Sequence, residues 1–104
     1  MIRVAVLPLL LVAVSAWPGE PTPERQATLT ELVRQDCGSC HGLTLKGGLG
    51  PPLLPAALAE RDVEVLGYVI LHGRRGTAMP PWREHLSESE AQWIAQQLKK
   101  GLAK

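Results

Sequence analysis

The sequence predicts an all-α domain, and three observations carry that expectation. Apolar residues recur at helical spacing in three stretches, over 27–33, 65–70 and 91–98, the pattern of helices with one buried face. Each stretch follows a residue that suits a helix N-cap: Thr22, Asp62 and Ser87. No convincing run alternates apolar and polar residues as a half-buried strand would, and the intervening segments are rich in Gly and Pro.

The elements follow in order. Thr22 can cap the first helix, with Pro23 at its first position and Glu24 beside the positive end of the dipole. Ala27, Leu29, Leu32 and Val33 form its apolar face, and the helix is expected to run up to Cys37. An irregular loop spans Gly42 to Pro55, and Ala56 to Glu60 reads as a short helix. Asp62 opens the next helix, with Val65, Leu66, Val69 and Ile70 on one face and Gly73 as its stop. A second loop, Arg74 to Leu86, contains Met79-Pro80-Pro81-Trp82. Ser87 and Glu90 have the spacing of a capping box. Ala91, Trp93, Ile94, Ala95 and Leu98 then mark the last helix, which Lys99 and Lys100 close at its negative end.

The chain of 104 residues is expected to hold one domain over 23–104. Three Trp, one Tyr and no Phe make a thin supply of large core side chains. A domain this small ordinarily needs a metal, a disulfide or a cofactor. Two long loops in so short a domain also need something to wrap around.

Residues 1–16 read as a secretory signal peptide. Arg3 supplies the basic region, Val4 to Val14 the apolar one, and Val14-Ser15-Ala16 the small-residue cleavage site. The alternative is an uncleaved membrane anchor, for which the apolar run is short, since a span needs about 20 residues. A mature chain starting at Trp17, with 17–22 as a flexible lead-in, would be exported to the periplasm without stable membrane insertion. Without Arg3, basic and acidic side chains balance at ten each. That balance argues against nucleic acid as a partner.

An exported chain with two Cys ordinarily implies one disulfide, but the spacing points elsewhere. Cys37-Gly38-Ser39-Cys40-His41 is a C-x-x-C-H run, the attachment signature of c-type haem. Two thiols add to two vinyl groups on one porphyrin edge, and two intervening residues let both sulfurs reach it. The following His41 is then directed at the iron. Three other readings compete: a strained disulfide, a thioredoxin-like redox pair, and a zinc site built from Cys37, Cys40 and two of His41, His72 and His85.

From Cys37 onward the chain resembles the class I c-type cytochrome family. The resemblance rests on Cys37-Gly38-Ser39-Cys40-His41, on Gly50-Pro51-Pro52-Leu53, and on Ile70-Leu71-His72-Gly73 followed by Met79-Pro80. More narrowly, Asp36 to Leu53 resembles the cytochrome c55X group, periplasmic monohaem cytochromes associated with denitrification and the haem cd-type nitrite reductase. The resemblance implies a small cytochrome c fold, about four helices wrapped around one covalent haem c. It implies Cys37 and Cys40 as the covalent anchors and His41 as an axial ligand. It also implies the Pro51 carbonyl as the partner of His41's other ring nitrogen, and Leu53 as a packing contact on the ring. Met79, the only thioether once Met1 is removed, is the expected second axial ligand. His72 and His85 are its rivals. Trp93 is expected to pack the last helix on the first, and Tyr68 and Trp82 either to pack in the core or to reach the haem.

Lys46, Arg74, Arg75 and Arg83 lie in the two loops with only one acid, Glu84. They predict a basic rim that steers an acidic redox partner. The expected function is single-electron transfer by a monomer that is not an enzyme, with redox partner proteins, a nitrite reductase of denitrification among them. The second reading is a haem-based binding or maturation protein that assists assembly of the reductase's haem.

Overall fold

The computed structural model describes residues 2–9 and 19–102. The expected cleavage site and Trp17 lie outside the described residues. Residues 2–9 have no regular secondary structure and are exposed. No described helix is long and apolar enough to cross a membrane.

Residues 19–102 hold five α-helices and one π-helical turn joined by loops, with no strand among the described residues. They are α1 (Pro23–Leu32), the π turn (Val33–Cys37), α2 (Gly38–His41), α3 (Pro55–Leu58), α4 (Val63–His72) and α5 (Glu88–Lys100).

Helix α1 starts as its sequence dictates. The Thr22 hydroxyl accepts from the Arg25 N–H at 3.2 Å, and Pro23 occupies the first turn, where its missing N–H costs nothing. The expectation that this helix stops at the cysteines needs correction. The helical run continues through them, first as the π turn and then as α2. Leu29 and Val33 are fully buried, one turn apart. The wider π turn that follows shifts the phase of what comes after it, although Cys37 at its end still packs half-buried against the core cluster.

Helix α4 opens at Asp62, though the Asp62 side chain makes no capping hydrogen bond. Its expected inner face is also revised. Val65 is 50% exposed, and the fully covered residue is Gly67. A Cβ on Gly67 would lie 3.2 Å from Gln92 Cγ, so the missing side chain lets α4 lie directly on α5.

Helix α5 carries the densest packing, with Ala91, Trp93, Ile94, Ala95 and Leu98 buried. The capping box is present: Ser87 N–H donates to Glu90 Oε1 at 2.9 Å, and Glu90 N–H donates to Ser87 Oγ at 3.1 Å. Trp93 shares one core cluster with Leu29 and Val33, which joins the last helix to the first. The remaining members are Leu45, Leu58, Leu86, Ile94 and Leu98.

One ion pair fastens the two ends of the fold. Arg25 Nε donates to Glu90 Oε2, and Arg25 Nη2 donates to the His85 carbonyl at 3.4 Å. That side-chain hydrogen bond holds the Glu90 carboxyl below its ordinary value. A depressed carboxylate stabilises the fold above its unfolded pKa of about 4.3, and the contribution disappears as pH falls through the folded value. Glu90→Gln keeps the capping geometry but removes the charge. Its Tm at pH 7 is expected to fall by roughly 2–5 °C. Melting curves at pH 3 should show the variant and the parent converging.

Candidate functional site

The C-x-x-C-H segment is helical throughout. Cys37 closes the π turn, and Cys40 and His41 belong to α2. Three residues apart, the two thiols lie on one side of the helical run. Both cysteines are half-buried and free, so they form no disulfide with each other. Burial, reinforced by the neighbouring Asp36 charge, pushes the Cys37 thiol up to about 11. A redox-active pair needs the opposite, a thiol whose pKa is lowered. Among the described residues, no three His, Cys, Asp or Glu side chains converge as a metal site of their own. The zinc reading therefore finds no ligand set there.

The loop after α2 folds back on the helix end. Gly47 N–H donates to the His41 carbonyl and Gly50 N–H to the Cys40 carbonyl, both at 2.8 Å. These are carbonyls that a helix C-terminus leaves without partners. Leu53 N–H donates to the Leu45 carbonyl at 2.9 Å, closing the loop further along. Leu53 itself is half-buried and packs against the core cluster.

This folding-back places Pro51 on His41. The distance from His41 Nδ1 to the Pro51 carbonyl oxygen is 2.7 Å. A carbonyl can only accept, so Nδ1 carries the proton and donates it. In the neutral ring, Nε2 then holds the free lone pair that a metal would take.

Gly50 makes this approach possible. A Cβ there would sit 2.7 Å from His41 Cε1 and 2.8 Å from Nδ1. Gly50→Ala is therefore expected to push the ring and Pro51 apart. The cost should be about 1–3 kcal/mol in a denaturant titration, the range for overpacking.

Met79 reaches the molecule from a different element. It lies half-buried in the loop after α4. Gly73, at φ +69°, turns the chain sharply there, and a Cβ on it would meet the Met79 carbonyl at 2.6 Å. Arg74 N–H donates to that same carbonyl at 3.3 Å. Further along, Trp82 N–H and Arg83 N–H donate to the carbonyls of Ile70 and Leu71, tying the loop to α4. The rival His72 is exposed and stacks against Tyr68 with ring centroids 4.4 Å apart. His85 is exposed beside Trp82 at 5.9 Å.

These residues fit a haem. The sequence pairs two soft thiols with an imidazole, and the Pro51 carbonyl occupies Nδ1 of that imidazole, so Nε2 is the nitrogen left to face a metal. Leu53, Leu54, Leu66, Ile70, Leu71 and Trp82 pack on the core yet remain only partly covered, an apolar surface of the kind a porphyrin packs on. Large apolar side chains stand exposed beside the cysteine segment as well, Leu43 at 73% and Leu49 at 92%.

Two features of the site were not foreseen from the sequence. One is the π turn, which no local signal marks. The other is Leu45, which is buried with a positive φ of 60°. Leucine is a residue type from which sequence patterns predict no such backbone.

Comparison with known proteins points the same way. A family model described as cytochrome C oxidase, cbb3-type, subunit III matches residues 24–97. Cytochrome c55X of Paracoccus denitrificans is 58% identical over 100 residues, covering 96% of each chain. The solved structure of the c-type cytochrome NirC superposes with a TM-score of 0.79 at 49% identity, covering 81% of this chain and all of that one. A dihydro-heme d1 dehydrogenase of Pseudomonas aeruginosa is 42% identical over 60 residues, which is 58% of this chain but only 12% of that enzyme.

Proposed function

This chain belongs to the c-type cytochromes, in the cytochrome c55X family, and we propose that it is a periplasmic single-electron carrier with one covalent haem. Cys37 and Cys40 would hold the haem through thioether bonds to its vinyl groups, and His41 Nε2 and Met79 Sδ would donate to its iron. The haem supplies a reversible one-electron Fe(III)/Fe(II) couple when bound. The polypeptide contributes the rest. Pro51 fixes the His41 ring and raises its basicity as a ligand. The Gly73–Pro81 turn presents Met79, whose thioether favours the ferrous state. Leu53 and the half-covered apolar side chains around the core exclude water. The observation that carries this reading is the 2.7 Å contact of His41 Nδ1 with Pro51, which leaves Nε2 as a donor.

Residues 1–16 serve as the export signal in this reading, and the mature domain works as a monomer. Its partners are other redox proteins, a haem cd-type nitrite reductase of denitrification among them. Lys46, Arg74, Arg75 and Arg83 are exposed, and none is ion-paired among the described residues. An acidic docking partner matches them. The similarity to part of a dihydro-heme d1 dehydrogenase supports a place among proteins that handle the reductase's haem.

That same similarity favours a second reading, a haem-binding or maturation protein that assists assembly of that haem. Carbon monoxide separates the two. A carrier with Met79 firmly bound shows no spectral change when the reduced protein meets the gas, whereas a labile sixth position binds it readily.

A further inference from the structure

The most unusual backbone near the site belongs to Leu45. It has a φ of 60° in a residue with a full side chain, and its side chain is 1% exposed. Such conformations persist only when the surroundings enforce them. Here the enforcement comes from both directions. The side chain belongs to the central core cluster with Leu29, Val33, Trp93 and Ile94. Its N–H donates to the Gly42 carbonyl at 2.8 Å, and its own carbonyl accepts from Leu53 N–H at 2.9 Å.

The second of these bonds reaches the residue that matters from its C-terminal side. Leu53 lies two residues past Pro51. On the other side, Gly50 N–H is held by the Cys40 carbonyl at 2.8 Å. Pro51 has no N–H of its own to hold it. Its position is set by Gly50 before it and by Leu53 after it, and Leu53 is held by its own half-buried packing and by its backbone bond to the fully buried Leu45. From this we infer that Leu45 is the positioning residue of the His41–Pro51 contact: its buried side chain, turned inward by the left-handed backbone, pins the loop that holds the Pro51 carbonyl on His41 Nδ1. The alternative source of order, the Gly-rich stretch Gly47-Gly48-Leu49-Gly50, has no buried side chain to do this, since Leu49 is 92% exposed.

The consequence is electronic as well as structural. A firm Nδ1–H to carbonyl bond makes His41 a stronger electron donor to a bound metal. Loosening it removes support for the ferric state, so the reduction potential rises.

The inference rests on His41 as iron ligand, and the test separates the two claims. The holoprotein is prepared in the parent form and as Leu45→Ala, Leu45→Gly and Leu86→Ala. Solvent exchange of the His41 ring N–H is followed by NMR, and the potential is measured beside it. The parent should show a protected N–H with the paramagnetic shift of an iron-bound ring; its absence would refute the ligand assignment itself. Leu45→Ala should exchange up to about tenfold faster, the factor that corresponds to one ordinary hydrogen bond, with a raised potential. Leu45→Gly suits a φ of 60° and so folds readily, yet it should exchange as fast as the alanine variant. Leu86→Ala removes a core leucine of similar burial and should cost stability while leaving both readouts unchanged. The inference fails if Leu45→Ala matches the parent, if Leu45→Gly restores protection, or if Leu86→Ala moves both readouts equally.

Discussion

Replacing Cys37 and Cys40 together with Ala is expected to abolish covalent haem and, with it, the fold. The two cysteines form no disulfide with each other, and Cys37 also packs half-buried against the core cluster. Alanine keeps the helix and removes little of that packing beyond the sulfur, so the double variant tests the anchors first. The reason for the structural collapse is the thinness of the core. Among the described residues, eight large apolar side chains form the buried cluster, and many of the side chains around it are half-covered. A domain this small has little margin. Without the haem, the long Gly42–Leu54 loop is held by its own hydrogen bonds, by buried Leu45 and by the half-buried Leu53 and Leu54. Circular dichroism of the exported double variant should show most helical signal lost, and haem staining of a denaturing gel should be negative. A variant that folds and stains like the parent would remove the cysteines from the account.

Met79→Ala should have the second-largest effect. A thioether ligand favours ferrous iron, so its loss should lower the reduction potential. The shift should be on the order of 0.1–0.3 V, inside the roughly 0.8 V range over which axial ligation acts. The sulfur-to-iron charge-transfer band of the ferric protein should vanish, and the reduced protein should now take up carbon monoxide. Helical structure should persist, because the loop that carries Met79 is tied down by other bonds. Gly73, the Arg74–Met79 backbone bond, and the bonds from Trp82 and Arg83 to α4 do not involve the thioether. A parent that lacks the band, or a variant that keeps the parent's potential and takes up no carbon monoxide, would exclude Met79 and leave His72 and His85, both exposed beside an aromatic ring, as the candidates.

Much of this architecture was legible in the residues themselves, for local reasons. The ends of α1 and α5 were marked by Thr22-Pro23 and by the Ser87/Glu90 box, since a cap is a short-range interaction between residues two or three apart. Gly73 marked a helix stop for a similar reason. The same logic exposed the C-x-x-C-H run, because thioether spacing is a sequence spacing. What stayed hidden depends on residues far apart in the chain. Arg25 and Glu90 meet across 65 positions, and neither residue signals the other. Gly67 reads as a flaw in an apolar helix until α5 lies against it. Leu45 reads as one more loop leucine until its side chain is seen in the core. The π turn is a phase shift that composition does not encode, and it explains why the first helix continues past the point where its apolar spacing ends.

The central claim is one haem, covalently held through Cys37 and Cys40. Its most direct test is a pyridine haemochrome spectrum of the purified polypeptide after acid–acetone extraction. The account predicts that one haem per chain stays with the protein and gives the spectrum of a haem whose two vinyl groups are saturated by thioether bonds. Haem released into the acetone, or a polypeptide that carries none, would contradict it.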